Sequence, residues 1–332
     1  MVRVRGRRVL CKAPEAAYCH HVSVLVLPFT GQPDQQEKQW RNHMPAPSCA
    51  RFRVATDAHL HCHIDDAYTD PWSTPDDVLM IHGIAEDGRI WAPWVPYLAR
   101  QHRVLRPDLR GYGQSSPLPE QTTFSITDWA DDLQALLDSV DCRRVHLVAT
   151  KLGAQIAFEL AQRGDPRIVS MTLAGMLPSP SRALSPWLDE WVALVENHGV
   201  ETWTRATMQG RMADALSPAA LGWWIALMSA APSRTVVASL RMLSTLHGPS
   251  APESVTCPTL FIVAGQSPSP SEATGTYSQR PAQAEIEQLQ RRVPHSSLMP
   301  IAANSFHIAA THPDACARAT AAFIEHTLAN PQ

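Results

Sequence analysis

One lysine lies between a predicted strand and a predicted helix and carries an amine that could do chemistry there. Arg144–Thr150 is a short apolar run, Leu152–Arg163 has a helical pattern, and Lys151 lies between them. The positive end of a helix and a partly dry site both disfavour an ammonium group, so the pKa of Lys151 should fall below about 10.4. A neutral amine attacks carbonyl carbons and forms Schiff bases. A lysine there could instead act as a general base or hold a substrate carboxylate.

A second group of reactive side chains lies in the stretch HLHCH. His59, His61 and His63 alternate, so a strand would place the three imidazoles on one face. That spacing could hold a metal ion. An exposed polar face on a first hairpin explains the same pattern, and we favour that interpretation; no metal is expected.

Strand-like and helix-like segments alternate from about residue 51 onward. Two runs alternate as a hairpin does, Arg51–Thr56 and Leu60–Ile64. Six short runs are apolar enough for strands buried on both faces of a sheet: Asp77–His82, Arg103–Pro107, Arg144–Thr150, Val169–Gly175, Thr259–Gly265 and Leu298–Ala302. Helices are predicted at Thr127–Val140, with Thr127 as the cap, at Leu152–Arg163 and at Pro313–Thr327. The alternation predicts an α/β fold with a doubly wound, mainly parallel sheet.

Residues 178–249 interrupt this alternation. They lack a strand signal, contain several tryptophans and have apolar residues at helical spacing. We expect a helical cap over the C-terminal edge of the sheet, where ligands bind in such folds. Residues 46–177 and 250–332 would then form the core. Most of the tryptophans should pack the cap onto the sheet, and one or two should line a pocket.

Residues 1–45 precede the regular pattern and are expected to form a poorly ordered extension. The basic start could suggest a secretory signal. The apolar stretch Val22–Pro28 lies too deep, however, follows His20 and His21, and is not followed by a clean cleavage site.

Composition excludes several classes of protein. The chain has 332 residues and a formal net charge of −3, and 45% of its residues are hydrophobic, which is ordinary for a globular protein. Neither nucleic acid nor a membrane surface is expected as a partner, and no apolar run approaches the roughly 20 residues that span a membrane. Seven scattered cysteines without a C-x-x-C pair indicate free thiols in a reducing, cytoplasmic compartment.

Three passages together resemble the α/β-hydrolase superfamily. They are LMIHGIAEDGRIW at 79–91, RPDLRGYGQS at 106–115, which resembles the D-x-R-G-x-G-x-S loop, and VHLVATKLGAQIA at 145–157. The last resembles the strand–elbow–helix unit of that superfamily. The resemblance covers about residues 50–330 and is strongest to enol-lactonase-like and haloperoxidase-like members with a helical cap. It implies an α/β-hydrolase fold with atypical catalytic residues.

The resemblance also assigns the catalytic positions. The elbow motif G-x-S-x-G reads ATKLG here, which puts Lys151 at the nucleophile position. The acid position carries Ser267 instead of aspartate, with Glu272 as a weaker substitute. His307, six residues before a Pro-Asp pair, matches the superfamily histidine, and His312 is the next candidate.

These substitutions remove ordinary Ser-His-Asp acyl transfer, which needs all three partners. The resemblance places an oxyanion hole at the backbone N–H groups of Ile84 and Leu152, which do not depend on side-chain identity. It puts His82 and Gly83 in the pocket. Without an aspartate partner, His307 is expected to be neutral.

Three functions remain open. The first is an enzyme acting on a small oxo or acyl compound with Lys151 as amine nucleophile or base, in non-hydrolytic chemistry such as decarboxylation. The second is a lactone or ester hydrolase in which Lys151 and His307 activate water. The third is a catalytically silent member that binds a ligand carboxylate. None requires a cofactor, each implies a small-molecule partner, and the oligomeric state stays open.

Overall fold

A computed structural model describes residues 3–4, 7–8, 48–70, 72–120, 124–212, 215–265, 283–303, 305 and 307–330, with the backbone alone at 3–4, 7–8 and 209. The chain divides into two units, Met1–Met44 and Pro45–Gln332. In the first, Arg3–Val4 pairs antiparallel with Arg7–Arg8. Apart from these four residues, the predicted extension 1–45 lies outside the described residues.

One eight-stranded sheet organises the second unit. Its strands are β1 Ser48–Ala55, β2 Ala58–Asp65, β3 Asp77–Ile81, β4 Arg103–Pro107, β5 Val145–Ala149, β6 Ile168–Ala174, β7 Thr259–Gly265 and β8 Ser296–Ala302. Their order is β8-β7-β6-β5-β3-β4-β2-β1. Strands β3 to β8 pair in parallel, whereas β2 pairs antiparallel with both β1 and β4. The predicted α/β class with a mainly parallel sheet is confirmed.

The central strands are apolar because both of their faces are covered. Every residue of β3 and β5 is buried, whereas no residue of the edge strand β1 is buried. The predicted exposed face of the hairpin was wrong for His61, which is 6% exposed. His61 is buried because the loop after β4 folds over it, while His59 is exposed and His63 half-buried. The periodicity of β2 alone could not show this cover.

Ten α-helices connect or follow these strands in the described part of the chain. They are α1 Val95–Leu98, α2 Ile126–Ser139, α3 Leu152–Gln162, α4 Pro180–Leu184, α5 Leu188–Met212, α6 Pro218–Ser229, α7 Ser233–Ser244, α8 Gln283–Arg292, α9 Ile308–Thr311 and α10 Pro313–Ala329. Two 3₁₀ helices, Gly88–Trp94 and Pro252–Ser254, complete them. None of these helices combines the length and the apolar character needed to cross a membrane.

The start of α2 differs from the prediction. Ser125, and not Thr127, caps the helix, because its Oγ accepts the N–H of Asp128 while the Asp128 carboxylate accepts the N–H of Ser125. This reciprocal pair satisfies two N–H groups at once. Thr127 lies one residue inside the helix.

Helices α4 to α7 form the segment predicted as the cap, and α5 bends at Gly199, where φ is 82°. The cap is tied to the loop after β4 by a buried hydrogen bond of 2.6 Å between the hydroxyls of Tyr112 and Ser239. The guanidinium of Arg234 also donates to the carbonyl oxygen of Leu118 at 3.0 Å. These bonds fix α7 relative to the sheet.

Candidate active site

Lys151 occupies a sharp elbow between β5 and α3. Its backbone has φ 53° and ψ −115°, a region that residues other than glycine rarely adopt. A Cβ added at Gly153 would overlap the carbonyl oxygen of Ile81, so only glycine lets α3 approach β3 this closely. Strained backbone of this kind persists where the surrounding structure over-determines it, and it clusters at active sites.

The partner of Lys151 is Glu86, which the sequence analysis did not identify. Lys151 Nζ donates a hydrogen bond to Glu86 Oε1, and the N–H of Gly83 donates to Glu86 Oε2 at 2.7 Å. The Glu86 side chain is fully buried, whereas that of Lys151 is 11% exposed. A Cβ at Gly83 would lie 2.8 Å from Glu86 Oε2. Gly83 is therefore needed for the carboxylate to reach Lys151.

Burial and the neighbouring charges shift the pKa of Lys151 in opposite directions. Burial lowers the pKa of Lys151, Glu86 opposes this shift, and the charge of Arg211 adds to it. Burial likewise lowers the pKa of Arg211, to about 10, and Glu86 opposes that shift too. One carboxylate and two cations therefore interact electrostatically in this site, and the net effect lowers the pKa of Lys151 and favours release of its proton.

His307 lies in the same electrostatic environment. It is 3% exposed, and burial lowers its pKa well below the ordinary value, with further contributions from the charges of Lys151 and Arg211. His307 is therefore neutral near pH 7, as the sequence analysis expected. Its backbone N–H donates to Ser305 Oγ at 3.0 Å, and the Ser305 hydroxyl donates to the carbonyl oxygen of Arg211 at 2.6 Å. Ser305 therefore links the backbone at His307 to the end of α5.

The cap supplies aromatic faces to both cations. Lys151 Nζ lies 5.8 Å from the ring centre of Trp224 in α6, and the Arg211 guanidinium lies 4.9 Å from that of Trp203 in α5. A ring face attracts a cation at such distances. We expected one or two tryptophans to line a pocket while the others pack the cap, and Trp203 and Trp224 are the two that lie against these cations.

The predicted oxyanion donors are backbone N–H groups next in sequence to Gly83 and Lys151. Leu152 begins α3, so its N–H is one of the four at a helix start without a partner inside the helix. Ile84 follows Gly83 in the turn after β3. Neither N–H forms a hydrogen bond with another residue that the structure describes. Their role as oxyanion donors stays a prediction.

His82 is held by the backbone. It is fully buried, its Nδ1 lies 2.8 Å from the carbonyl oxygen of Gly83, and its Nε2 accepts the N–H of Leu109 at 2.9 Å. Because a carbonyl oxygen only accepts, Nδ1 carries the ring proton. His82 thus joins the end of β3 to the loop after β4. Its predicted place in the pocket remains untested by these contacts.

The predicted acid position cannot be placed. Ser267 and Glu272 both lie outside the described residues, which stop at Gly265 at the end of β7 and resume at 283. His312, the second candidate histidine, precedes α10, with its Nδ1 3.0 Å from Thr311 Oγ1.

The loop after β4 has a structural role. Asp108 accepts hydrogen bonds from the N–H groups of Gly88 and Gln114, each at 2.8 Å. Arg110 forms a buried two-point ion pair with Asp132 in α2. These bonds hold the 3₁₀ helix, the loop and α2 together, which positions the turn that carries Glu86.

A cavity of about 240 Å³ borders this turn. Its walls include His63, Glu86, Asp108 and, from the cap, Leu227 and Ala230. Glu86 therefore lines this cavity, and its carboxylate also contacts Lys151.

The sheet order, the elbow and the helical insertion between β6 and β7 define an α/β-hydrolase fold. Residues 77–200 match the family model described as alpha/beta hydrolase fold. Together with the fold, this match supports the resemblance to the α/β-hydrolase superfamily found in the sequence.

Relatives and solved structures agree with this assignment. A haloalkane dehalogenase of Mesorhizobium japonicum is 34% identical over 105 residues, which are 32% of this chain and 33% of that protein. A 2-hydroxymuconate semialdehyde hydrolase of Pseudomonas is 33% identical over 101 residues, 30% of this chain and 35% of that protein. The chain thus matches about a third of the length of these relatives.

The structural similarity extends further along the chain. The enol-lactonase of Burkholderia xenovorans superposes with a TM-score of 0.69 at 18% identity, covering 82% of this chain and 99% of the lactonase. The bromoperoxidase of Bacillus anthracis gives 0.70 at 21% identity, covering 84% and 100%. At these identities the likeness shows the fold alone.

Proposed function

We propose that this protein is an enzyme that acts on a small carbonyl compound through the amine of Lys151, with Glu86 as the group that takes and returns its proton. The observation that carries the proposal is the Lys151–Glu86 pair on the strained elbow. An amine in direct contact with a buried carboxylate can pass its proton along an existing hydrogen bond, and the elbow presents the amine at the position of a nucleophile.

The proposed first step balances as follows. The ammonium of Lys151 transfers one proton to Glu86, and the neutral amine attacks the carbonyl carbon of the substrate. The oxygen takes up one proton from the attacking nitrogen and the proton held by Glu86 and leaves as water, which produces a protonated imine on Nζ. Such an imine accepts electrons from an adjacent bond, so loss of carbon dioxide from a β-oxo acid or cleavage of an aldol would follow. In this proposal, Glu86 and the neutral His307 move protons in these steps.

The charges favour an oxo acid as the substrate class. Lys151 and Arg211 place two buried cations against the single carboxylate of Glu86, among the residues that the structure describes. A substrate carboxylate would complete the charge balance and interact with Arg211, whose planar group binds carboxylates well. The ring faces of Trp203 and Trp224 supply apolar walls.

A lactone or ester hydrolase is the second candidate, and the relatives favour it. The matched proteins are named as a haloalkane dehalogenase, a semialdehyde hydrolase and a methyl ester esterase. In this alternative, Lys151 and His307 activate a water molecule, and the N–H groups of Ile84 and Leu152 stabilise the oxyanion. No imine forms on Lys151, which separates the two candidates experimentally.

The test is imine trapping, and the small number of lysines in the chain makes the modified residue easy to identify. The chain has three lysines, Lys12, Lys38 and Lys151. We expect borohydride with pyruvate or acetoacetate to reduce an imine on Lys151 to a stable secondary amine, which peptide mass spectrometry detects. Lys12 and Lys38 act as internal controls. The Lys151→Arg variant, which keeps the charge that faces Glu86, should show no product.

The other outcomes identify the alternatives. Hydrolysis of a lactone panel that is lost in His307→Gln, without trapping on Lys151, would support the hydrolase. Competitive acylation that shows Lys151 titrating near the ordinary value of about 10.4, without turnover in either assay, would overturn the proposal. It would favour a silent member in which Lys151 and Glu86 only satisfy each other.

A further inference from the structure

Three side chains of types that bind metals meet on the outer hairpin: Cys49, His61 and His63. In the ladder between β1 and β2, Cys49 lies opposite His63 and Arg51 lies opposite His61. Residues opposite each other on one face are neighbours, and His61 is two residues from His63 on that face. Cys49 Sγ lies 3.2 Å from His63 Nδ1. One donor atom from each of Cys49, His61 and His63 lies within 4.8 Å of the other two.

One of these histidines is already oriented as a metal ligand is. His61 is buried, and its Nδ1 lies 3.1 Å from Asp108 Oδ2. Asp108 is itself fixed by the N–H groups of Gly88 and Gln114. A carboxylate that is hydrogen-bonded to one ring nitrogen fixes the tautomer and leaves the other nitrogen to bind a metal ion. Carboxylate–histidine–zinc arrangements of this kind are usual in zinc sites.

We propose that Cys49, His61 and His63 bind a zinc-class divalent ion, with the Cys49 thiolate and one nitrogen of each histidine as three ligands and water as the fourth. Binding releases the Cys49 proton to solvent. One thiolate and two imidazoles are ligands that Zn²⁺ prefers, and three protein ligands leave the fourth position open.

The surroundings tolerate the added charge. Arg106 faces His63 across the ladder of β2 and β4, but its guanidinium forms a two-point pair with Asp65, at 2.7 and 3.2 Å. Burial and the charge of Arg106 lower the pKa of His63, whereas the charges of Asp108 and Asp87 raise it. His63 also borders the 240 Å³ cavity, which offers room for the water ligand.

This site does not depend on the chemistry of Lys151. It would join the edge strand β1 to β2 and to the loop after β4, so the ion would stabilise the hairpin. The proposal therefore stands or fails separately from the carbonyl chemistry.

The experiment uses the full chain and Zn²⁺ alone. Alkylation of Cys49 by iodoacetamide, followed by peptide mass spectrometry, should slow at least about tenfold when one equivalent of Zn²⁺ is present. The other cysteines that the structure describes are buried and provide reference peptides. Replacement of Zn²⁺ by Co²⁺ should produce the near-ultraviolet thiolate absorption band, and binding should raise the melting temperature, since the ion binds the folded state.

Matched variants identify the ligands. His63→Gln should abolish both the protection of Cys49 and the cobalt band, and Cys49→Ser should abolish the band and the shift in melting temperature. His59→Gln changes an exposed histidine on the same strand and should behave as the wild type. Equal zinc binding by wild type, His63→Gln and Cys49→Ser, or protection that is also lost in His59→Gln, would overturn the assignment, as would the absence of any protection in the wild type.

Discussion

Replacing Glu86 by glutamine keeps the shape of the side chain but removes the charge that faces Lys151. The amide oxygen can still accept the N–H of Gly83, which donates to Glu86 at 2.7 Å, whereas the ammonium of Lys151 loses its carboxylate. Removing one partner of a buried ion pair costs about 3–5 kcal/mol, because the other charge stays buried without compensation.

The lysine itself limits this cost, because it can release its proton. Neutralising a lysine whose unfolded pKa is about 10.4 costs about 1.36 kcal/mol per pH unit, or about 4.6 kcal/mol near pH 7. The two values agree, so the expected loss in the free energy of unfolding for Glu86→Gln is about 3–5 kcal/mol near pH 7.

The sign of the pH dependence follows from the same group. Burial lowers the pKa of Lys151 and Glu86 opposes that effect, so removing Glu86 lowers the pKa further. Between the folded and unfolded pKa values the unfolded chain binds more protons, and stability rises with pH in that window. The deficit of the variant should therefore shrink by up to about 1.4 kcal/mol per pH unit as the pH rises towards about 10.4.

Urea unfolding followed by tryptophan fluorescence at several pH values measures both effects. Glu159→Gln is the matched control, since it removes the carboxylate of a half-exposed pair with Arg163 and should cost less than about 1 kcal/mol. The double variant Lys151→Met with Glu86→Gln should recover part of the loss, because no charge stays buried. If Glu86→Gln behaves like Glu159→Gln and has the pH slope of the wild type, the reasoning about the pair is refuted.

Three further predictions, two on variants and one on the unchanged protein, concern the structure around the pair. Gly83→Ala places a Cβ 2.8 Å from Glu86 Oε2 and should slow imine trapping about 10²-fold, the effect of a displacement of about 1 Å; an unchanged rate would contradict the role of Gly83. Since burial lowers the pKa of His307 well below its ordinary value, its ring signals should not titrate in NMR spectra between about pH 5 and 8, and a transition near 6.5 would be inconsistent with its burial. Asp132→Asn leaves the buried Arg110 without its carboxylate and should lower the free energy of unfolding by about 3–5 kcal/mol in urea; a loss under about 1 kcal/mol would show that solvent reaches the pair.

Much of the fold could be predicted because its signals are local. The buried strands carry continuous apolar runs, and the predicted Arg103–Pro107 and Thr259–Gly265 agree with the structure to the residue. Lys151 could be placed at the elbow because a strand pattern ends and a helix pattern begins on either side of it. The predicted cap of α2 was wrong by two residues, since Ser125 and Thr127 are both residue types that cap helices.

The sequence by itself determined the order of strands and helices and the presence of a lysine at the elbow, because both depend on periodicity and on neighbours along the chain. Only the tertiary structure decided what surrounds that lysine. Glu86 lies 65 positions before Lys151, and Arg211 belongs to the cap, so no local pattern connects them. His61 was taken for a surface residue because the carboxylate that buries it, Asp108, lies 47 positions away. Charge pairing and burial are properties of the packed chain, and they convert a lysine at a helix start into a group with a defined partner and a lowered pKa.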